Sequence, residues 1–291
     1  MTPDILITFG LLAATILLLW VPVPAVAGTR CWAWCGGLVL ACGAGLAAGI
    51  LDWRAPFAIA AFAALAWGAY AARSAWIRGV LLALTGLAAL LMAMHRVPGF
   101  HNPVVLEGYR FSSDTLPFTL YANFDKAVVG IVLVGVFCER IATWDGWAAM
   151  LRRIWPVVLS TLAIVLGLAL LLGQVRPDLK WTPYSAWFLA SNLLVTCVAE
   201  EAFFRGFLLE RLTRALRGWR GGVVCAVILS SALFGVAHLG GGLHLAVLAT
   251  VAGIHYAVAY LRSKRVEGAI LTHFVLNAVH VVGFSYPALT A

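Results

Sequence analysis

Charged side chains are scarce in this sequence: they make up 11% of its 291 residues, whereas an ordinary soluble domain has about 25%. Hydrophobic residues account for 63%. So few charges cannot cover the surface of a water-soluble globule of this length, but a lipid-facing exterior needs almost none. The low charge therefore excludes a soluble domain and indicates a membrane protein.

Three further patterns that would indicate a function or fold are also missing. The six cysteines contain no CxxC pair, so small buried hydrophobes are a better interpretation than disulfides or metal ligands. No HExxH sequence is present, which argues against the usual helical zinc site of metalloproteases. Strictly alternating strands separated by turn residues are absent as well, and this excludes a transmembrane β-barrel.

Long apolar runs, by contrast, recur along the whole chain. A helix needs about 20 apolar residues to cross the hydrocarbon core of a bilayer, and ten runs approach that length. The predicted segments are 5–25, 32–51, 55–72, 76–94, 126–142, 155–174, 185–209, 219–239, 243–261 and 266–285. The sequence therefore predicts an all-α fold, a polytopic transmembrane helical bundle of about ten transmembrane helices.

The net charge of +8 suggests nucleic-acid binding, but the positions of the basic residues argue against it. Most of the 20 Lys and Arg residues fall in alternate connections between the predicted segments, as the positive-inside rule requires. This pattern places both termini outside the cytoplasm. We therefore expect a multi-pass protein of the cell membrane, such as a bacterial inner membrane, with the lipid bilayer as its partner and no nucleic acid.

Polar residues divide the chain into two parts. Residues 1–154 are predicted to form an N-terminal transmembrane scaffold, because their first four segments hold almost no polar side chain at mid-depth. Within this part, 95–125 is predicted to be a loop outside the membrane and 143–153 an interfacial helix. Residues 155–291 are predicted to form the catalytic helical core, since polar residues lie inside its last four segments.

Two adjacent carboxylates, Glu200 and Glu201, lie well inside an apolar run. Ionisable residues inside a membrane are costly and are functional candidates by default. At about 100° per residue, Glu201 and Arg205 lie about 40° apart on a helix, whereas Glu200 and Arg205 lie about 140° apart. The sequence therefore predicts a structural ion pair between Glu201 and Arg205. Glu200 is left as a general base or, alternatively, as a second structural carboxylate.

Histidines on the following segments supply candidate partners. His238 closes the eighth segment, and His273 and Asn277 are four residues apart on the tenth, so they lie on one face. His255 and His280 also lie in these helices and are interpreted as packing residues beside the site. For His273 and Asn277, the alternative is hydrogen bonding between helices without catalysis.

Three motifs resemble those of a single family when they are taken in order. They are Glu200-Glu201-x-x-x-Arg205, Phe234-x-x-x-His238 and His273-x-x-x-Asn277. Together they resemble the CPBP family of intramembrane proteases, the CAAX-protease and bacteriocin-processing group, which includes abortive-infection-like proteins and the type II CAAX prenyl endopeptidase. The resemblance covers residues 185–285 and gives the N-terminal half no counterpart.

The resemblance implies an intramembrane endopeptidase that hydrolyses a peptide bond of a membrane-associated protein or peptide. It implies that Glu200 and His238 activate the attacking water, and that Arg205 holds Glu201. His273 with Asn277 would stabilise the tetrahedral oxyanion, as preorganised hydrogen-bond donors do in other hydrolases.

The sequence allows alternatives for both the cofactor requirement and the function. We favour a mechanism without a cofactor, although Glu200, His238 and His273 would be the ligands if zinc were required. Ionisable side chains inside helices also build proton relays, so a proton-coupled membrane transporter is a second class. A third class is a non-catalytic membrane scaffold that retains the motifs. The sequence implies no particular oligomeric state.

Overall fold

The computed structural model describes residues 2–21 and 33–290 of the chain. The helices in these residues are α1 (Pro3–Leu18), α2 (Ala33–Ala47), α3 (Arg54–Ala71), α4 (Ala75–Ala93), α5 (Phe124–Phe137), α6 (Trp144–Leu171), α7 (Ser185–Ala215), α8 (Gly222–Ala237), α9 (Leu243–Ser263) and α10 (Val266–Gly283). Two short strands, β1 (Val104–Tyr109) and β2 (Phe118–Tyr121), lie between α4 and α5. The all-α prediction is confirmed.

Length and composition define two groups among these helices, which leave out α3 and α5. Five helices in the described part of the chain are long and apolar enough to cross a membrane: α4, α6, α7, α9 and α10. Helices α1, α2 and α8 are apolar but shorter, at 10–17 residues. The chain is therefore built as a multi-pass membrane protein, whereas a total of ten spans stays a prediction. The predicted end of the first segment and start of the second fall on residues 22–32, outside the described residues.

Helix α6 joins two predicted elements into one. It begins where the Thr143 hydroxyl accepts a hydrogen bond from the Gly146 amide at 3.1 Å, which satisfies one of the free amides of the first turn. It then continues through both the predicted interfacial helix and the next predicted segment. Pro156 inside it has no N–H to donate, and the turns widen to π-helix at Leu162–Leu166.

The predicted loop 95–125 contains a small sheet that the sequence did not reveal. Strands β1 and β2 pair with each other, and the Gly108 amide donates to the Thr119 hydroxyl at 3.1 Å. These strands have six and four residues. Alternation of hydrophobic and polar residues over so short a length does not identify a strand.

The chain divides into two compact units, of which unit 1 consists of Met1–Val105, Tyr121–Ala142 and Leu194–Phe203. Helix α5 is the central helix of unit 1, where it contacts α1, α2, α3 and α4. Every residue from Phe124 to Val134 except Lys126 is buried. A helix buried on all sides belongs to the core of a bundle. The predicted boundary between residues 154 and 155 stays a prediction.

Unit 2 consists of Leu106–Leu120, Thr143–Leu193 and Phe204–Ala291. Within it, α9 packs against α6, α8 and α10. The C-terminal tail of unit 2 is held on two sides by backbone hydrogen bonds. The Leu116 amide donates to the Ala288 carbonyl at 2.9 Å, and the Leu289 amide donates to the Gln174 carbonyl at 2.8 Å. Aromatic rings pack beside the tail, namely Tyr109, Phe111, Phe118, Phe188 and Tyr286.

Candidate active site

Glu200 and Glu201 lie where the helical geometry of α7 changes. The stretch Val198–Glu201 is α-helical, whereas Asn192–Cys197 before it and Ala202–Leu209 after it are π-helical. π-Helical turns are rare in proteins, and those that occur are often found at functional sites. They also alter the angle between successive side chains, so the spacing of about 100° per residue does not hold here. The Glu201–Arg205 ion pair therefore stays a prediction.

Glu200 forms an ion pair with Lys126 of α5 in unit 1. The Lys126 Nζ donates to Glu200 Oε1 at 2.9 Å, and the two side chains are 18% and 15% exposed. Lys126 begins the predicted segment 126–142 and was not predicted to be a site residue. The sequence does contain a signal for this contact. After Lys126, no charged residue occurs until Glu139, so the lysine begins a long apolar run. Glu200 therefore has a cationic partner on a neighbouring helix.

A glycine allows the close approach of α5 to the Glu200 segment. Gly130 lies one turn after Lys126, and a Cβ built there would be 3.1 Å from Val198 Cγ1 and 3.2 Å from Ala199 Cα. Real Cβ atoms seldom come so near to neighbouring backbone. Because residues four apart share one helix face, this contact also brings Lys126 alongside the residue that follows Ala199. Gly130 thus contributes to the geometry of the Lys126–Glu200 pair.

A buried carboxylate precedes Lys126 and is fully hydrogen-bonded. Asp125 has no exposed surface, and its Oδ2 lies 2.8 Å from His95 Nδ1. Its Oδ1 accepts from Asn102 Nδ2 at 2.9 Å and from the Lys126 amide at 2.9 Å. The Asn102 side-chain oxygen accepts in turn from the Phe124 amide at 2.8 Å. The first turn of α5 is therefore tied to the segment 95–102, with the His95 ring 45% exposed at its edge.

Arg205 is fully buried in unit 2. Its Nη2 donates to the Gly253 carbonyl at 3.0 Å. Its guanidinium carbon lies 4.6 Å from the ring centre of Phe234, 5.2 Å from that of Tyr256 and 5.7 Å from that of Phe204. A cation among aromatic faces is attracted by their negative charge, most strongly when water is excluded. Arg205 consequently has the surroundings of a structural cation.

His238 follows the last residue of α8 and is partly exposed. Its Nδ1 lies 2.8 Å from the Phe234 carbonyl. A carbonyl can only accept, so Nδ1 must carry the proton and the neutral ring keeps a lone pair on Nε2. The His238 ring also lies 4.5 Å from the Phe234 ring, centre to centre. His238 is therefore oriented as a hydrogen-bond acceptor or base through Nε2.

His273 is buried on α10 and contacts two aromatic rings. It stacks on Tyr256 with 4.5 Å between ring centres and an angle of 16° between the planes. The edge of the Phe234 ring lies against it, with the two ring centres 5.8 Å apart. Phe234 thus touches both predicted catalytic histidines and Arg205. Within unit 2, the structure brings His238 and His273 together around this one ring.

Asn277 forms a hydrogen bond that the sequence analysis did not foresee. Its Nδ2 donates to Asn192 Oδ1 at 3.2 Å, and Asn192 is buried at the start of a π-helical stretch. An amide inside the apolar run 185–209 is a visible signal in the sequence, although Asn192 belongs to none of the three motifs. One of the two amide hydrogens of Asn277 is used in this bond, so a second is left for another acceptor.

His255 and His280, the two predicted packing histidines, lie in different surroundings. The His255 Nδ1 is 2.9 Å from the Val251 carbonyl, and the ring lines a groove of about 370 Å³ with Pro156 and Arg262 among its other walls. The His280 ring packs edge-on against another ring of unit 2, and its buried Nε2 has no hydrogen-bond partner in the described structure.

No group of three His, Cys, Asp or Glu side chains within residues 2–21 and 33–290 lies close enough to hold a metal ion. The zinc alternative, with Glu200, His238 and His273 as ligands, stays a prediction.

A second charged cluster lies outside the helices of unit 2. The Arg176 guanidinium binds both oxygens of Asp114, at 2.8 and 3.0 Å, and these hydrogen bonds hold the pKa of Asp114 below its usual value. A hydrogen bond from Ser112 and the ammonium of Lys180 likewise lower the pKa of Asp178. These groups connect the segment after β1 to the segment after α6, and none belongs to the predicted motifs.

Comparison with known proteins identifies the region that holds these motifs. Residues 182–279 match the family described as Type II CAAX prenyl endopeptidase Rce1-like. The match covers about a third of the chain and includes all seven residues named in the three motifs, Glu200, Glu201, Arg205, Phe234, His238, His273 and Asn277. No curated protein and no solved structure matches the chain. Residues 182–279 therefore carry a domain of the Rce1-like type II CAAX prenyl endopeptidase family, a family of the CPBP intramembrane proteases.

Proposed function

We propose that this protein is an intramembrane endopeptidase that hydrolyses a peptide bond of a membrane-associated protein or peptide. The observation that carries the proposal is the match of residues 182–279 to an endopeptidase family. The region also holds, in order, the three motifs that resemble those of the family: the first lies in α7, the second at the end of α8 and the third in α10.

We propose Glu200 and His238 as the groups that activate the attacking water. Hydrolysis requires a base beside a water molecule, and a positioned side chain contributes about 10²–10⁴-fold to such a step. Glu200 is paired with an ammonium, which favours its ionised, basic form. In His238, the hydrogen bond at Nδ1 places the ring proton there, so the lone pair on Nε2 can accept a proton. In the proposed step, a water proton passes to Glu200 while the oxygen attacks the carbonyl carbon.

We propose His273 and Asn277 as the donors that stabilise the resulting oxyanion. Fixed donors at the point where negative charge develops are worth about 10²–10³-fold in other hydrolases. His273 is held by stacking on Tyr256, and Asn277 is oriented by its bond to Asn192. Collapse of the tetrahedral intermediate breaks the C–N bond, and the proton taken up from water goes to the leaving amine. Glu201 and Arg205 are proposed to be structural.

The proposal is tested by cleavage with the purified full chain in liposomes. The probes are quenched fluorescent peptides, one set anchored by a prenyl group and one by a transmembrane segment. Glu200→Gln and His238→Ala are each expected to lower kcat/KM by about 10²–10⁴-fold. His255→Ala is the matched control, because His255 makes the same hydrogen bond to a carbonyl four residues earlier and should keep its activity.

Three other results would replace the proposal. Undiminished cleavage by Glu200→Gln and His238→Ala would exclude the mechanism. A proton flux into the liposomes that is lost in those two variants, with no cleavage of either peptide set, would support the transporter. Loss of cleavage with a chelator, restored only by zinc, would make Glu200, His238 and His273 metal ligands.

A further inference from the structure

We propose that Lys126 is a positioning residue of this site, whose ammonium holds the Glu200 carboxylate ionised and in one orientation. This inference rests on the proposed function of Glu200 as the base. Lys126 lies in α5, outside the matched residues 182–279. The inference therefore gives the N-terminal helices a part in the chemistry, where the sequence analysis predicted a scaffold.

The cost of the ion pair is the first argument. Lys126 is the only residue between Phe124 and Val134 that is not buried, in a helix that is otherwise the core of unit 1. Charges at such positions are expensive, and replacing a buried ion pair by apolar side chains is often neutral or stabilising. Stability therefore gives little reason to keep a lysine at position 126. A requirement for a charged Glu200 gives one.

The second argument is that the turn of α5 that carries Lys126 is held rigidly. Asp125, the preceding residue, is fully buried and accepts hydrogen bonds from Asn102 and from the Lys126 amide, while His95 contacts its other oxygen. Gly130, one turn later, lies against the backbone of Ala199. The helical turn that carries Lys126 is thus held by contacts at both of its ends, Asp125 and Gly130. A base held in this way is preorganised, and misplacing a reacting group by about 1 Å can lower a rate by about 10²-fold.

The accessibility of the pair is the third argument. Both side chains keep part of their surface open, 18% for Lys126 and 15% for Glu200, whereas the structural cation Arg205 has none. A general base needs water beside it. The ammonium favours the ionised carboxylate, which is the form that can accept a proton from that water. Lys126 acts through Glu200 and is not itself proposed to touch the substrate.

The test compares kcat and KM of Lys126→Met, Lys126→Arg and Glu200→Gln in the same liposome assay. We expect Lys126→Met to lower kcat by about 10–100-fold with little change in KM, because the base is misplaced and not the substrate. Lys126→Arg should recover most of this loss, since it keeps the charge. The matched control is Lys180→Met. Lys180 pairs with Asp178 at 3.2 Å and is 11% exposed, but it has no proposed part in the reaction.

The outcomes separate this inference from the proposed function. If Glu200→Gln cleaves like the wild type, the proposed function fails. If Glu200→Gln is inactive while Lys126→Met keeps the wild-type kcat, only the role of Lys126 is overturned. An equal fall in kcat for Lys126→Met and Lys180→Met would also overturn it, because the effect would then be general. Should Lys126→Met fail to fold, Lys126→Gln takes its place in the same comparison.

Discussion

The two units treat a charge inside an apolar helix in different ways. In unit 2, Arg205 has no exposed surface and is enclosed by Phe204, Phe234 and Tyr256. In unit 1, Lys126 and Glu200 pair at 2.9 Å while both stay partly exposed. An enclosed charge can only hold neighbouring groups in place. A charge that water can reach can also exchange protons, so accessibility separates the two roles on physical grounds.

The largest effect on stability is expected for Arg205→Met. Arg205 is predicted to pair with Glu201, and removing one member of a buried ion pair costs about 3–5 kcal/mol, because the other member is left uncompensated. The variant also loses the hydrogen bond to the Gly253 carbonyl and the contacts with three rings. Unfolding followed by tryptophan fluorescence in detergent should show a larger loss for Arg205→Met than for Lys126→Met. Equal losses would remove the distinction between an enclosed and an accessible charge.

Much of the fold was predictable because it depends on averages over long segments. A run of about 20 apolar residues predicts a helix even when a few of its positions are polar. The ten predicted segments correspond to α1–α10. The motifs were predictable for a similar reason, since Glu200, His238, His273 and Asn277 stand out as polar residues in apolar surroundings. The family match at 182–279 confirms the resemblance drawn from them.

The partners of these residues were not predictable, because each is brought close only by tertiary packing. Lys126 is 74 positions from Glu200, and Asn192 is 85 positions from Asn277. Position 126 lies at the start of a predicted segment, where a basic residue usually indicates the orientation of the helix in the membrane and not a functional site. The widened turns of α7 could not be foreseen either, since periodicity arguments assume a regular α-helix.

An intermediate effect is expected for Gly130→Ala, which tests whether close packing of α5 supports the Lys126–Glu200 pair. The added methyl would meet Val198 and the Ala199 backbone at 3.1–3.2 Å, and overpacking of this kind costs about 1–3 kcal/mol. Because the contact adjoins Glu200, we expect kcat to fall as well. Gly79→Ala is the control, since a Cβ at Gly79 of α4 would have nothing within 4 Å. A fall in kcat shared by both variants would refute this link.

The smallest effect is expected for Asp114→Asn, at an ion pair that is more exposed than the Lys126–Glu200 pair and than Arg205. Asp114 and Arg176 are 43% and 46% exposed, and such surface pairs contribute little. Hydrogen bonds from Arg176 lower the folded-state pKa of Asp114, so the pair's contribution to stability is present above the unfolded pKa of about 3.9. It is lost as the pH falls through the lower, folded-state pKa.

The measurement is the thermal midpoint of wild type and Asp114→Asn between pH 6 and pH 3. The wild type should lose stability slightly more steeply at the acid end, because only it must take up a proton at position 114. Added salt should narrow the difference, since exposed pairs are screened. If the difference instead persisted undiminished down to pH 3 and resisted salt, Asp114 would behave like an enclosed charge. Exposure would then no longer rank the three charged sites, and the accessible surface of Glu200 would lose its value as an argument for catalysis.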